Sequence, residues 1–315
     1  MNIKHLILYV VSFTLIAFSA CSKDDNGLNE NKGYLKIELT DAPVDDARVE
    51  GVFVTIADVK VDGQSLEGFS KTTIDLMAYQ NGNTHTLIES ELEARSYNSI
   101  TIELDLVSDA QGNMPGCYVR DDNGNKHPLA SANVSVTMTK EFNIESGQDT
   151  ELVIDFDLRK AVRRAQGAES EYEFVAQAHL NNAVRVVNKQ KAGLISGTCN
   201  FQSTDNAYVV VYAYHKGSFN GTTETQGSAE TNLRFHNAVT SAMVGQQGNY
   251  SLHFLEEGEY ELHFASYDRS SATGRLELNG SLLLTVLNAV DLGSVPVTAG
   301  STTTVNVAAS GVLPI

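Results

Sequence analysis

The 315-residue chain has no tryptophan, five prolines and three cysteines, and its 22 Lys and Arg are outnumbered by 39 Asp and Glu. Each shortage excludes something. Without Trp, the strongest aromatic platform for stacking sugars or bases is missing, and only 12 Tyr and 12 Phe remain for such work. A net charge of -17 repels phosphate backbones and anionic lipid, so nucleic acid is not an expected partner. Three cysteines do not make a disulfide scaffold, and none is needed, because a chain of this length suits about two domains that can each bury roughly 70% of their unfolded surface. Catalytic signatures are missing too: no GxSxG elbow, HExxH, phosphate-cradling GxxxxGK or helix-opening GxGxxG occurs. The expectation is a non-enzymatic protein without a cofactor.

Long apolar runs are also scarce. The one present follows Lys4, from Leu6 to Phe18, and ends in the small pair Ser19 and Ala20. It is too short for a transmembrane span of about 20 residues and reads as a secretory signal peptide over residues 1–20. Ser19 and Ala20 directly before Cys21 resemble a bacterial lipobox, which implies lipidation at Cys21 by diacylglycerol and a palmitate-type acyl chain. Residues 21–32 then read as a polar, flexible tether. Within it, Ser22, Lys23, Asp24 and Asp25 resemble the acidic export signal of lipoproteins displayed by one phylum of Gram-negative bacteria. The expected location is the outer membrane, held by lipid at Cys21 and facing the cell exterior.

From Gly33 onward the hydrophobic period is two. Leu35, Ile37 and Leu39 alternate with Lys36, Glu38 and Thr40. Ile100, Ile102, Leu104 and Leu106 do the same, as do Leu152, Ile154, Phe156 and Leu158. Turns are marked by Asp62-Gly63, Asn81-Gly82 and Asn123-Gly124. Only ESELEAR, from Glu89, hints at a helical turn. The pattern predicts an all-β protein of two consecutive antiparallel β-sandwiches, residues 33–188 and 192–315, parted by the polar Lys189, Gln190 and Lys191.

LTDAPVDD from Leu39, VFVTIADVKV from Val52, IDLMAYQNG from Ile74 and IDFDLRKAV from Ile154 together resemble domain of unknown function family 4382, which occurs in bacterial surface lipoproteins. That resemblance implies a location and a fold but no activity. AGLISGTC, AYVVVYAY and GNYSLHFLEEGEYEL resemble the carboxypeptidase regulatory-like, transthyretin-like β-sandwich. The last of these segments predicts a hairpin with Glu256, Glu257 and a left-handed Gly258 as its loop. Phe254 would then face Tyr260, Leu252 would face Leu262, and Tyr250 would face Phe264.

The remaining constellations have bland readings beside sharper ones. In YVVVYAY, Tyr208, Tyr212 and Tyr214 share a face with Val210, while Ala207, Val209, Val211 and Ala213 fit a sandwich core on the other. The tyrosine row is either covered by protein or a ligand platform for sugar rings. Asp41, Asp45 and Asp46 cluster, and Asp155 and Asp157 share a strand face, but no EF-hand spacing occurs, so turn capping and an Asp157–Arg159 pair on a solvated face are expected. The hairpin register would set His253 opposite Glu261 with His263 nearby, read as a solvated face and not a zinc site. Arg159, Lys160, Arg163 and Arg164 form the basic run, read as a solvated loop. Cys117 and Cys199 read as buried free thiols, with an interdomain disulfide as the alternative. The functional expectation is an extracellular binding module for glycan or a partner surface protein; the alternative is a structural spacer or accessory subunit of a surface assembly.

Overall fold

The computed structural model of the chain describes residues 31–42, 46, 48–130, 135–165, 171–201, 207–227, 233–271 and 274–314. The leader, Cys21 and nearly all of the tether lie outside the described residues. Among those described, no helix is long and apolar enough to cross a membrane.

The first half contains β1 Lys32–Ala42, β2 Val49–Val61, β3 Gln64–Ser65, β4 Thr72–Asp75, β5 His85–Glu93, β6 Ser96–Leu104 and β7 Tyr118–Asp121. It continues with β8 Lys126–Pro128, β9 Ser135–Asn143, β10 Asp149–Asp157, β11 Val162–Arg164, β12 Tyr172–Phe174 and β13 Val184–Asn188. One sheet runs β13-β10-β1-β5, and the other runs β8-β7-β2-β6-β9 with β3 and β4 added to β2. The core lies between these sheets, as the alternation requires: Ile37, Leu39 and Ile154 from one meet Val52, Val59, Ile100 and Ile102 from the other, all essentially solvent-free. Asp62 and Gly63, both with positive φ, form the two-residue turn that joins β2 to β3.

Two expectations fail here. ESELEAR carries no helical turn: its residues lie in β5 and in the turn to β6, because β1 offers an edge to pair with. Nor is the pairing wholly antiparallel, since β1 and β10 run parallel from Tyr34 beside Asp149 to Ala42 beside Asp157. The chain between them crosses to the opposite sheet before returning, as a parallel pair demands.

The second half contains β14 Ala192–Asn200, β15 Ala207–His215, β16 Thr240–Met243, β17 Asn249–Glu256, β18 Gly258–Arg269, β19 Leu276–Val286, β20 Val295–Val297, β21 Thr302–Thr304 and β22 Val307–Pro314. The path β16-β15-β18-β19-β22-β14-β17 folds over so that β14 and β17 cover β15 and β18. β14 also pairs in parallel with β21 and β22.

The predicted hairpin register is therefore wrong. β17 pairs with β14, and β18 pairs with β15, β19 and β20, so Glu257 carries the chain from one sheet to the other. Tyr250, Leu252, Tyr260, Leu262 and Phe264 do share one core, and the Tyr250 and Phe264 rings meet edge to face at 5.3 Å between centroids, but across the sandwich rather than along a ladder. Phe254 is displaced from the core by Leu255. It adopts φ +54° within a bulge, where Gly193 pairs with Leu255 and Ile195 with Leu252. Gly258 has φ +157°, a backbone region that side-chain-bearing residues rarely enter, though not the left-handed helical conformation expected of it.

Candidate functional site

Several charged side chains meet at the seam between the sandwiches. Asp157 ends β10 and caps the one-turn helix Leu158–Ala161 by accepting from the Lys160 N–H. That turn aims Arg159 and Lys160 at the second sandwich. Arg159 Nη1 donates to the carbonyl oxygens of Arg234 at 2.7 Å and Phe235 at 3.2 Å, and Lys160 Nζ donates to Ala238 O at 2.6 Å. Both cations also pair with the Asp157 carboxylate, each at 3.2 Å. Burial opposes the charge on Asp157, but Arg159 and Lys160 outweigh it and hold its carboxyl below the usual range.

A second clamp lies beside it. Arg185 on β13 grips Asp155 at 2.6 Å through Nη2 and donates Nη1 to Phe254 O at 2.7 Å. The bulge at Phe254 sits where that carbonyl can be reached. Asp41 lies alongside, accepting from Gln80 and from the Leu158 N–H. Its burial next to Asp155 and Asp157 pushes its carboxyl well above the ordinary carboxylate range. Below this, His253 packs so closely on Gly82, where φ is +83°, that a side chain at position 82 would run into the imidazole.

Between the sandwiches lies a cleft of about 370 Å³, within the size range of small-ligand sites. The first sandwich contributes Arg163 and Arg164 from β11, together with Asp46; the second contributes Arg234, Arg275 and Glu277, over a floor that includes Val52, Val162 and Leu276. Arg164 is engaged by Asp46 at 2.7 Å and Glu171 at 3.4 Å. Arg163 commits only Nε, to Glu173 at 2.8 Å. Two larger troughs border the seam beside the Lys140–Glu256 pair, but their walls mix both signs of charge with neutral amides.

The sequence-derived candidates land as follows. Tyr212 and Tyr214 are 2% and 0% exposed, Tyr208 is partly buried, and Val209, Val211 and Ala213 face the main core. Tyr212 stacks on Phe235 at 4.2 Å and its hydroxyl meets that of Tyr267 at 2.6 Å; Tyr214 donates to the buried Glu224 at 2.8 Å. The tyrosine face is thus largely covered by the chain following β15, while Tyr212 also lines the space between the two sandwiches.

The acidic cluster disperses: Asp41 is held within the first sandwich by Gln80 and the Leu158 N–H, Asp46 binds Arg164 and Tyr172, and Asp45 is outside the described residues. His253 and His263 lie on different sheets, the first on Gly82 and the second stacked on Phe219 at 3.5 Å. Among the described residues no group of three or more His, Cys, Asp and Glu side chains could hold a metal. Cys117 and Cys199 are free, buried and in separate cores, and burial pushes the Cys117 thiol up to about 12 and the Cys199 thiol up to about 11. The basic run is not a solvated loop, because Arg159 and Lys160 are buried in the seam. Sequence reading missed the cleft because Arg234, Arg275 and Glu277 are scattered along another domain with no motif joining them.

Residues 32–176 match the model of a domain of unknown function, DUF4382. No curated protein matches the chain. Among solved structures, a leucine-rich repeat protein from Bacteroides thetaiotaomicron overlaps at 14% identity and a TM-score of 0.20, covering 90% of this chain and 26% of that one. The minor pilin GBS52 of Streptococcus agalactiae overlaps at 11% identity and a TM-score of 0.20, covering 89% of this chain and 97% of the pilin. BcpA, the major pilin subunit of Bacillus cereus, gives 9% identity and a TM-score of 0.20, covering 88% and 70%. Overlaps of this kind leave the function to be argued from the chain's own residues.

Proposed function

We propose, with the DUF4382 match over residues 32–176 as premise, that the chain is a lipid-anchored extracellular binding module whose ligand, a glycan or a surface protein, enters the cleft between the two sandwiches. Lipid at Cys21 and the polar tether hold it at the outer membrane, facing outward, and it performs no chemistry on what it binds. The second sandwich is read as a carboxypeptidase regulatory-like domain that supplies one wall of the site. The observation that carries this reading is the cleft itself, lined from both sandwiches over an apolar floor. Its walls are fixed by Arg159, Lys160 and Arg185, so the site is preorganised.

The test is a glycan array with the mature chain. Leu276→Trp, which fills the cleft floor, should abolish the signal and leave the melting temperature close to wild type; retained binding would remove the cleft from the reading. The anchor has its own test. Cys21→Ala should release the chain from the outer membrane, whereas Ala in place of Lys23, Asp24 and Asp25 should keep it lipidated but hide it from external protease.

A second reading, a rigid spacer in a surface assembly, is favoured by the same clamps, which make one body of two domains. Recovery of a stoichiometric membrane partner together with a silent array would select it.

A further inference from the structure

We infer that the cleft takes an acidic saccharide, held by its carboxylate between the two sandwiches, an inference that rests on the binding-module reading above. The chain carries a net charge of -17, yet its cleft is lined by Arg159, Lys160, Arg163, Arg164, Arg234 and Arg275 against only Asp46 and Glu277. Further carboxylates stand behind this lining and orient it: Asp157 holds Arg159, Glu173 holds Arg163, and Glu171 holds Arg164. The region is therefore no strong positive field, and what distinguishes it is two available forks.

Arg163 leaves both Nη groups without a partner among the described residues, and the Arg234 guanidinium makes no ion pair or hydrogen bond among them. One belongs to the first sandwich and one to the second, and both line the same space. A guanidinium presents a planar fork that matches a carboxylate in bidentate fashion.

Glu277 decides what else the ligand must be. It lines the cleft from β19, exposed, and no ion pair or side-chain hydrogen bond engages it among the described residues. A bare phosphate or sulfate would be repelled by it. A molecule that brings hydroxyl donors along with its carboxylate satisfies the arginines and Glu277 together, and a sugar acid is that molecule. The cavity's size admits about two sugar rings, and the chain's net negative charge disfavours a long polyanion.

The experiment is titration calorimetry of the mature chain with digalacturonate, its dimethyl ester and triglutamate. Digalacturonate should bind, and the neutral ester at least about tenfold more weakly. Arg163→Ala and Arg234→Ala should each weaken the acid by about tenfold with unchanged melting, and should leave the ester's affinity alone. Glu277→Gln should weaken the ester, which loses a charged hydroxyl acceptor, and weaken the acid less, because the acid is also relieved of a like charge. Lys216→Ala, an exposed change on another face, is the control. Equal affinity for acid and ester, indifference to the arginine substitutions, tighter binding of triglutamate, or no binding of digalacturonate would each overturn the inference. A neutral glycan that binds, and is lost in Leu276→Trp, would overturn it while keeping the binding-module reading; a silent array together with no digalacturonate binding would overturn it and remove glycan from that reading, leaving a surface protein as the ligand.

Discussion

Arg185 reaches the main-chain oxygen of Phe254 at 2.7 Å while the same guanidinium holds Asp155 at 2.6 Å, so one side chain ties a carboxylate of the first sandwich to a bulge in the second. Neither contact is replaceable by water at low cost, because Asp155 is nearly closed to solvent.

Arg185→Ala should therefore cost about 3–5 kcal/mol, most of it from a carboxylate left buried without its partner. Calorimetry is expected to show one transition for the wild type and two for the variant, as the sandwiches uncouple. Lys140→Ala removes the half-exposed pair with Glu256 and should cost less than about 1 kcal/mol. A wild type that already melts in two steps would contradict the rigid seam.

The pH dependence follows from Asp41 and Asp157, which are shifted in opposite senses. Asp41 keeps its proton to higher pH in the folded chain than in the unfolded one. Its contribution is present below the ordinary carboxylate range and is lost as pH rises through the folded-state value. Asp157 contributes above that range and loses its contribution as pH falls through its lowered value. Asp41→Asn stays neutral, still accepts from Leu158 and suits a reoriented Gln80 amide, so it should raise the melting temperature at about pH 7 and change it little near pH 4. The same offset at both pH values would show that Asp41 does not titrate as described.

Tyr212→Ala removes a ring stacked on Phe235 and should cost about 3–5 kcal/mol in chemical denaturation. Tyr212→Phe keeps the ring and loses the hydroxyl's contacts, that with Tyr267 among them, for about 1 kcal/mol or somewhat more. A Tyr212→Ala protein as stable as wild type would mean that the face is open after all.

Gly258→Val forces a β-branched residue to φ +157°, with no atom closer than 4.0 Å to the new Cβ. The penalty is thus backbone strain rather than a clash, about 1–3 kcal/mol, and it should lower the single transition that the two coupled sandwiches share. Gly258→Ala should show most of the same loss, and an unaffected melt in both would place the chain reversal elsewhere.

What the sequence made legible was local. Alternation at Leu35, Ile37 and Leu39, and again at Ile100, Ile102 and Leu104, identifies buried strand faces that the fold contains. Alternation says which face is apolar but not what lies opposite. Leu252 and Leu262 would be on the core side whether their strands paired or faced each other across a sandwich, so the hairpin and the crossing were indistinguishable until β14 supplied a competing edge. The roles of Arg159, Lys160 and Arg185 were illegible for a related reason: their acceptors are main-chain carbonyls of residues 234, 235, 238 and 254, and a carbonyl has no signature in the residue type that carries it.

The parallel pairing of β1 with β10 sets an order of events as well as a shape. Strand β1 emerges first during synthesis, but one of its two neighbours arrives only after most of the first sandwich has been made, so its closure is a non-local step of the kind that slows folding. Until then its free edge is open to any other strand, including β1 of a second nascent copy. Chains cut short before Asp149 should for that reason collect as aggregates instead of as soluble half-domains.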